Sequence, residues 1–205
     1  MQVLIRRVDG LTVGNEKEEL QGFKERVVLE IKRKYDLATV KDEPIFRAYR
    51  DFFWRAGIDP TKVRPAAEAL IRRVLAGKPI PTINTLVDSY NLASIQTGIA
   101  LGAFDARKLK GDLMLRFAHS GEKFLGIGMD EPIVLGGNEI VVSDEEKLIA
   151  VYPYRDSGDT KVTPDTRELC LLVCGAPGIE GDKLIEASRV AVEYVTKFCG
   201  GAEVA

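Results

Sequence analysis

The chain has 205 residues, of which 45% are hydrophobic and 29% are charged, and its formal net charge is −2. This balance is typical of a globular domain and excludes a collagen-like, coiled-coil or disordered chain. There is no apolar run of about 18 residues that would predict a membrane span, and three cysteines with one histidine argue against a disulfide framework and a zinc site. We therefore expect a cytoplasmic protein without a cofactor.

The charges are unevenly distributed along the chain. Residues 46–125 carry thirteen basic and seven acidic side chains, whereas residues 126–205 carry seven basic and fifteen acidic ones. This asymmetry predicts a polarised surface with a basic face, unless the charges mix in space and cancel.

The first half of the chain predicts one strand followed by helices. Residues 2–13 begin with alternating apolar and polar side chains and lead into a turn at Gly14-Asn15. Two prolines make residues 79–84 extended. Apolar side chains at helical spacing predict helices over 16–35, 44–56, 64–76 and 85–100.

The second half predicts mostly strands. From residue 112 the apolar period changes to two, which favours strands at 112–118, 122–128, 132–135, 139–143, 148–152 and 169–174. An amphipathic helix over 182–198 follows, with Asp182 as its N-cap. Helices first and strands later predict an α+β (layered α/β) fold with mixed sheets covered by helices.

One cluster of cations offers a surface for RNA. Arginine binds phosphate through paired hydrogen bonds, and aromatic rings stack on bases. The alternative is that the aromatic rings face the core and the cations are only solvated. The cluster lies on two adjacent predicted helices and comprises Arg47, Arg50, Arg55, Arg64, Arg72, Arg73 and Lys78, interleaved with Tyr49 and Trp54.

Three further stretches carry polar groups that could form a site. In 81–91, Asn84, Asp88 and Asn91 are spaced to share one side of a helix, although Asn84 could instead cap it. Residues 100–111 predict a loop with Phe104 and Asp105. Residues 152–168 predict a polar loop with Arg155, Asp156, Ser157 and Thr166, where sites often lie. No phosphate-loop, dinucleotide-binding or serine-nucleophile motif is present.

A more specific signal lies in 79–122, in a characteristic order of short pieces. They are Ile83-Asn84, Val87-Asp88, Asn91, the run from Gly98 to Asp105 ending in AFD, KLKG at 108–111, Arg116 and Gly121-Glu122. Together they resemble the B3/B4 editing domain of the bacterial phenylalanyl-tRNA synthetase beta subunit. The resemblance continues more weakly through 139–175, and the neighbouring RPAAEALIRR and YRDS are similar to the free-standing members of that family.

The resemblance implies a layered α/β fold and a pocket in which backbone groups and the terminal adenosine of a tRNA position a water. In the family, this domain hydrolyses tyrosine wrongly esterified to the tRNA for phenylalanine. Three family side chains are replaced here, by Pro81, Gly102 and Leu172. Leu172 replaces the glutamate that recognises the tyrosine hydroxyl in the family, so the resemblance does not imply tyrosine specificity for this chain.

These observations predict a tRNA-binding protein that is a candidate aminoacyl-tRNA deacylase acting in trans. The alternative is a non-catalytic module for RNA or an amino-acid-like ligand. We expect residues 1–44 to pack as a strand-helix segment on an editing-like domain at 45–200. The expected substrate pocket comprises Asn84, Asp88, Asn91, Gly102, Phe104, Asp105, Arg155, Asp156, Thr166 and Leu172, and the expected contacts to the tRNA acceptor end are Arg72, Arg73, Lys78 and Arg116.

Overall fold

The computed structural model describes residues 1–204 and has an α+β architecture, which confirms the predicted fold class. Across those residues, no helix is long and apolar enough to cross a membrane. The helices are α1 (Glu18–Lys34), α2 (Pro44–Arg55), α3 (Ala66–Leu75), α4 (Thr85–Thr97) and α5 (Gly181–Cys199). The strands are β1 (Val3–Asp9), β2 (Ala100–Asp105), β3 (Met114–Phe117), β4 (Lys123–Phe124), β5 (Ile133–Val134), β6 (Ile140–Ser143), β7 (Leu148–Val151), β8 (Arg155–Asp156), β9 (Glu168–Cys174) and β10 (Ala202–Val204).

Two four-stranded sheets form the centre of the molecule. The first has the order β10-β1-β9-β2, the second has the order β3-β6-β7-β8, and β4 pairs with β5 as a small hairpin. Every one of these pairings is antiparallel, although the sequence predicted mixed sheets. In the first sheet the connections between neighbouring strands are long, so sequence order does not reveal the pairing there.

Strand β9 divides the core into two layers because its side chains alternate between the two faces of the first sheet. Leu169 and Leu171 face α4 and α5 in one apolar cluster. Cys170 and Leu172 face the second sheet and α2 in another cluster. The molecule therefore has three layers, with helices, the first sheet and the second sheet in that order.

Strand β1 is an integral part of the first sheet. It pairs with β9 along its whole length, from Val3 opposite Cys174 to Asp9 opposite Glu168. On its other edge it pairs with β10 over Arg7 to Asp9 only. The N-terminal segment thus completes the sheet on which the family-like region is built.

Three predicted elements differ from the structure. The helix predicted to reach residue 100 ends at Thr97, because Gly98 adopts a left-handed conformation (φ 75°) that caps it. The stretch from residue 100 is strand β2 and not a loop. At α5 the N-cap is Glu180, whose side chain makes no capping bond, and Asp182 lies in the first turn.

Candidate functional site

A cavity of about 110 Å³ opens between the two sheets. It has room for several water molecules or a small side chain, since one water takes up about 30 Å³ of liquid. Larger and more open depressions of about 510 and 440 Å³ lie beside β10 and beside α1, and no residue of the predicted site lines them. The cavity is lined by Ala66, Leu101, Gly102, Ala150, Tyr152, Pro153, Tyr154, Arg155, Asp156, Leu172 and Cys174.

The cavity exists at Gly102 because this residue has no side chain. Gly102 lies in β2 directly opposite Leu172 of β9. A β-carbon at position 102 would stand 3.4 Å from Oδ1 of Asp156 and 3.4 Å from the ring of Phe104. A methyl group at position 102 would therefore already touch the Asp156 carboxylate, which lines the cavity beside this glycine.

Asp156 supplies the cleft with a titratable carboxyl group. Its backbone is fixed by pairing with Ala150 of β7 and by accepting a hydrogen bond from the Ile127 N–H, at 2.9 Å. Burial raises the pKa of the Asp156 carboxyl to about 7, an effect that the N–H of Ala103 partly offsets. A carboxyl group in this position changes its charge near neutral pH, which ordinary aspartates do not.

Arg155 lies beside Asp156, but its guanidinium group binds the backbone of Ile127. Its Nη1 donates to the carbonyl oxygen of Ile127, at 2.9 Å, and its guanidinium carbon lies 5.2 Å from the centre of the Tyr154 ring. The Nε of Arg155 is buried, and within residues 1–204 it has no hydrogen-bond partner. A buried donor without a partner is costly, so this N–H favours an acceptor supplied by a ligand or water.

The remaining wall of the cleft is apolar and neutral. The hydroxyl of Tyr152 donates to the carbonyl oxygen of Gly175, at 2.5 Å, and that of Tyr49 donates to the carbonyl oxygen of Cys174. Burial raises the pKa of both phenols and of the Cys174 thiol. These groups stay protonated at neutral pH and contribute shape and not charge.

Asp105 and Thr166 form a buried clip at the end of β2. The Thr166 hydroxyl donates to Oδ2 of Asp105, at 2.9 Å, and both residues are at most 1% exposed. The same carboxylate accepts the backbone N–H of Arg107 at 3.2 Å. The clip holds the 157–166 loop against β2. Phe104 is fully buried in the core beside it.

Asn84 and Asp88 lie outside the cavity lining, at the start of α4. The side chain of Asn84 accepts the N–H of Val87 at 2.9 Å, so Asn84 caps the helix, one of the two alternatives that the sequence left open. Oδ2 of Asp88 binds Nζ of Lys24 at 2.7 Å in a buried ion pair. Asn91 follows on α4 and is half-buried. This group anchors α1 to α4.

The predicted RNA contacts differ in whether their side chains are already hydrogen-bonded within the protein. The guanidinium groups of Arg72 and Arg73 donate to the carbonyl oxygens of Leu37, at 3.1 Å, and Pro79, at 2.6 Å. Lys78 is exposed.

Arg116 is held by a carboxylate. It forms a two-pronged pair with Glu122 at 2.7 and 2.9 Å, and this pairing lowers the pKa of Glu122 to about 2. Its charge is therefore already compensated within the protein.

The other members of the cation cluster divide between the core and the surface. Tyr49 is fully buried, as the alternative reading of the sequence required, whereas Trp54 is 56% exposed. Arg50 pairs with the buried Glu68 at 2.9 Å. Arg55 and Arg64 are exposed, and Arg64 precedes Ala66 in the cleft wall by only two residues.

The fold brings four of the residues predicted from the sequence to the cavity, namely Gly102, Arg155, Asp156 and Leu172. The sequence did not single out the apolar members of the wall, such as Ala150 and Tyr152, because nothing in their local pattern distinguishes them from core residues. Within residues 1–204, no three His, Cys, Asp or Glu side chains are grouped as metal ligands.

Comparison with known families matches residues 48–200 to the B3/4 domain. Curated relatives are beta subunits of phenylalanine–tRNA ligase. That of Nocardia farcinica is 33% identical over 115 residues, which is 56% of this chain and 13% of the relative. That of Neisseria gonorrhoeae is 24% identical over 168 residues, which is 71% of this chain and 21% of the relative. The chain thus spans only a small part of the length of these relatives.

A solved structure shares the fold. It is an N-terminal fragment of the phenylalanyl-tRNA synthetase beta subunit from Pyrococcus horikoshii, which matches 98% of this chain and 46% of its own with a TM-score of 0.52 and 16% identity. The coverage includes β1 and α1, which lie before the B3/4 match.

Proposed function

The chain belongs to the B3/4 domain family, and from this premise and the geometry of the cleft we propose that it binds the aminoacylated acceptor end of a tRNA and hydrolyses the ester of a wrongly charged amino acid. The observation that carries the proposal is the cavity at Gly102, between β2 and Asp156. Gly102 itself lies within 79–122, the segment that resembles the synthetase editing domain most closely.

The cleft suits a reaction that depends on positioning. Ester hydrolysis needs a water held near the carbonyl carbon and donors for the oxygen that becomes negative. On β2, the backbone N–H of Ala103 lies close enough to Asp156 to lower its pKa. The buried Nε of Arg155 is a further unpaired donor.

The cavity supports a small, weakly polar amino acid as the substrate. About 110 Å³ lies between Gly102, Leu172 and Ala150, which present no polar side-chain atom. A pocket of this kind gains little from a hydroxyl on the substrate and rejects bulky side chains by size. Tyrosine, the residue removed by the synthetase domain, therefore does not suit this wall.

Exposed cations support an approach path for the tRNA. Helix α3 begins at the cleft with Ala66, and a helix rises about 1.5 Å per residue, so Arg73 lies about 10 Å further along. Arg64 and Lys78 flank the two ends of this helix and are exposed. Such a row would follow a phosphate backbone leading towards the cleft.

A second function is favoured by the opposite charges of the adjacent residues Arg155 and Asp156. A free amino acid carries an ammonium and a carboxylate, and the cleft offers one carboxylate and one guanidinium on adjacent residues. In that case the protein would bind an amino-acid-like metabolite without turnover.

Deacylation by the purified chain tests the first proposal. Each member of a panel of mischarged aminoacyl-tRNAs is incubated with and without protein, and the ester that remains is measured. We expect accelerated release of at least one small amino acid. Rates equal to buffer across the whole panel would refute hydrolysis. A rise in melting temperature with a free amino acid, with no tRNA mobility shift at any salt concentration, would then support the second function.

A further inference from the structure

We propose that Asp156 is the general base of this cleft and takes a proton from the attacking water. This inference rests on the proposed hydrolytic function and adds a catalytic side chain to a site that otherwise acts through backbone groups. The starting observation is the position of Asp156, which lines the cavity together with Gly102 and Leu172. A base must lie where the water and the ester carbonyl meet.

The carboxylate has a defined position. Strand β8 holds its backbone against β7, with Asp156 opposite Ala150 and Arg155 opposite Val151. On the opposite side, Ile127 N–H donates to the Asp156 carbonyl oxygen. Its two carboxylate oxygens lie 3.4 and 3.7 Å from the place of a β-carbon on Gly102. Asp156 also lines the cavity, so a water held in the cavity can approach the carboxylate from that side.

Within residues 1–204, the Ala103 N–H is the one protein group that lowers the pKa of the Asp156 carboxyl group. Among the described residues, no side chain donates a hydrogen bond to it and no cation pairs with it, in contrast to Asp88 with Lys24 and Asp105 with Thr166. Arg155, the nearest cation in sequence, is held by the Ile127 carbonyl. A desolvated carboxylate without a cation lowers stability, which is typical of a group retained for function.

The protonation state suits a base at neutral pH. Burial places the pKa of Asp156 at about 7, and a general base works best when its pKa is near the working pH. The titratable groups around it are Tyr90 on α4, Cys174 on β9 and Tyr152 in the cleft wall, and each has a raised pKa. All three are neutral at pH 7, so Asp156 titrates as the only acid of the group.

The step balances without any further reactant. One oxygen of ionised Asp156 accepts a proton as the water oxygen bonds to the ester carbonyl carbon. The tetrahedral intermediate then collapses, the bond between the carbonyl carbon and the ribose oxygen breaks, and protonated Asp156 returns its proton to that ribose oxygen. The products are the free amino acid and a tRNA with a free terminal hydroxyl, and the carboxylate is regenerated.

The test compares Asp156→Asn with wild type on the most rapidly deacylated tRNA of the panel. Asparagine keeps the shape of the side chain but cannot take the proton, so we expect the rate to fall about 100-fold or more. The wild-type rate above buffer should rise with pH and level off above about 7, whereas the variant should show no inflection there. Asp159→Asn is the matched control, because Asp159 lies in the same loop and is exposed.

A second readout separates a base from a binding residue. The affinity of each protein for a non-hydrolysable aminoacyl-adenosine amide is measured, and we expect the value for Asp156→Asn to stay within about threefold of wild type. If wild type deacylates and Asp156→Asn keeps both the rate and the inflection, the base assignment is overturned while the proposed function stands. Equal loss of affinity and rate would also overturn it, in favour of a binding role.

Discussion

Oδ1 of Asp156 lies 3.4 Å from the point where a β-carbon on Gly102 would stand. The two residues come from different sheets, and they meet because β2 and β8 both border the cleft. Any side chain at position 102 would therefore contact the carboxylate. The contact distance is ordinary for two atoms that touch, so the space can be filled without displacing the backbone.

Gly102→Ala should therefore reduce activity and leave the fold intact. The added methyl group would occupy the space above β2, and we expect deacylation to fall at least about tenfold. Because alanine restricts the unfolded chain more than glycine does, unfolding free energy should change by no more than about 1 kcal/mol. Urea denaturation and deacylation rates measure the two effects.

Gly22→Ala is the control for that substitution. Gly22 lies within α1, and a β-carbon there would meet no atom within 4 Å. We expect a gain of about 0.5 to 1 kcal/mol from helix propensity and no change in activity. Equal loss of activity in both variants would contradict the role of the space at Gly102.

Asp156→Asn should change the dependence of stability on pH. The pKa of Asp156 is raised from 3.8 to about 7 in the folded protein, so the folded state holds this proton more tightly than the unfolded state. The stability of the folded state that results from this tighter proton binding is fully present below about pH 4. It is lost as the pH rises to about 7, and above that pH it no longer changes. The stability of the variant relative to wild type should increase across that window, by about 2 to 4 kcal/mol. Urea denaturation at pH 4, 5.5, 7 and 8 measures it, and a constant difference would refute the shift.

Lys24→Met should destabilise the protein strongly. Nζ of Lys24 lies 2.7 Å from Oδ2 of Asp88, and these side chains are 7% and 1% exposed. Loss of the cation leaves a buried carboxylate without compensation, which costs about 3 kcal/mol. The double variant with Asp88→Asn should recover part of that loss. Lys17→Met, which removes only a long exposed ion pair to Glu19, should cost less than about 1 kcal/mol in the same denaturation assay.

Glu122→Gln should lower the stability of the protein above about pH 5 and have little effect on it near pH 2. Hydrogen bonding to Arg116 lowers the pKa of Glu122 from 4.5 to about 2, so its stabilising effect is complete above the ordinary value and is lost as the pH falls through the folded one. The pair is partly exposed, and we expect a difference of about 1 kcal/mol at pH 7. Thermal unfolding from pH 7 to 2.5 should show the difference shrinking; a difference that grows would contradict the pairing.

Arg73→Gln with Lys78→Gln should weaken tRNA binding and flatten its salt dependence. If both side chains contact phosphates, the slope of log affinity against log salt should decrease in magnitude by about 1.5. Binding measured from 50 to 300 mM KCl provides the slope. Lys183→Gln, on the first turn of α5, should leave it unchanged. An unchanged slope in the double variant would show that these two cations do not contact the tRNA.

The helices could be predicted closely from the sequence, whereas two of the strands at the cleft could not. Helical spacing located α2 to within one residue of Pro44–Arg55, because one face of an amphipathic helix alone points to the core.

Strand β2 is buried on both faces, so ALGAF does not alternate and resembles a loop with glycine. Strand β8 has two residues, which is too short for any periodic signal.

The site depends on pairings that local patterns do not encode. Gly102 and Leu172 are opposite each other only because β2 pairs with β9, across some seventy residues of chain. Asn84 and Asp88 carry the same kinds of polar group as the site, but a lysine from α1 and the helix N-terminus take them. These long-range partners determine which polar residues remain available to bind a ligand.

The place of Leu172 in the middle of the first sheet has an evolutionary consequence. It lies opposite Ile5 on one side and Gly102 on the other, so neighbouring strands clamp its main chain while only its side chain reaches the cleft. Under the proposed hydrolytic function, a single codon change at this position would alter the surface that meets the substrate without remodelling the scaffold. The same framework would then allow a change of preference from one amino acid to another.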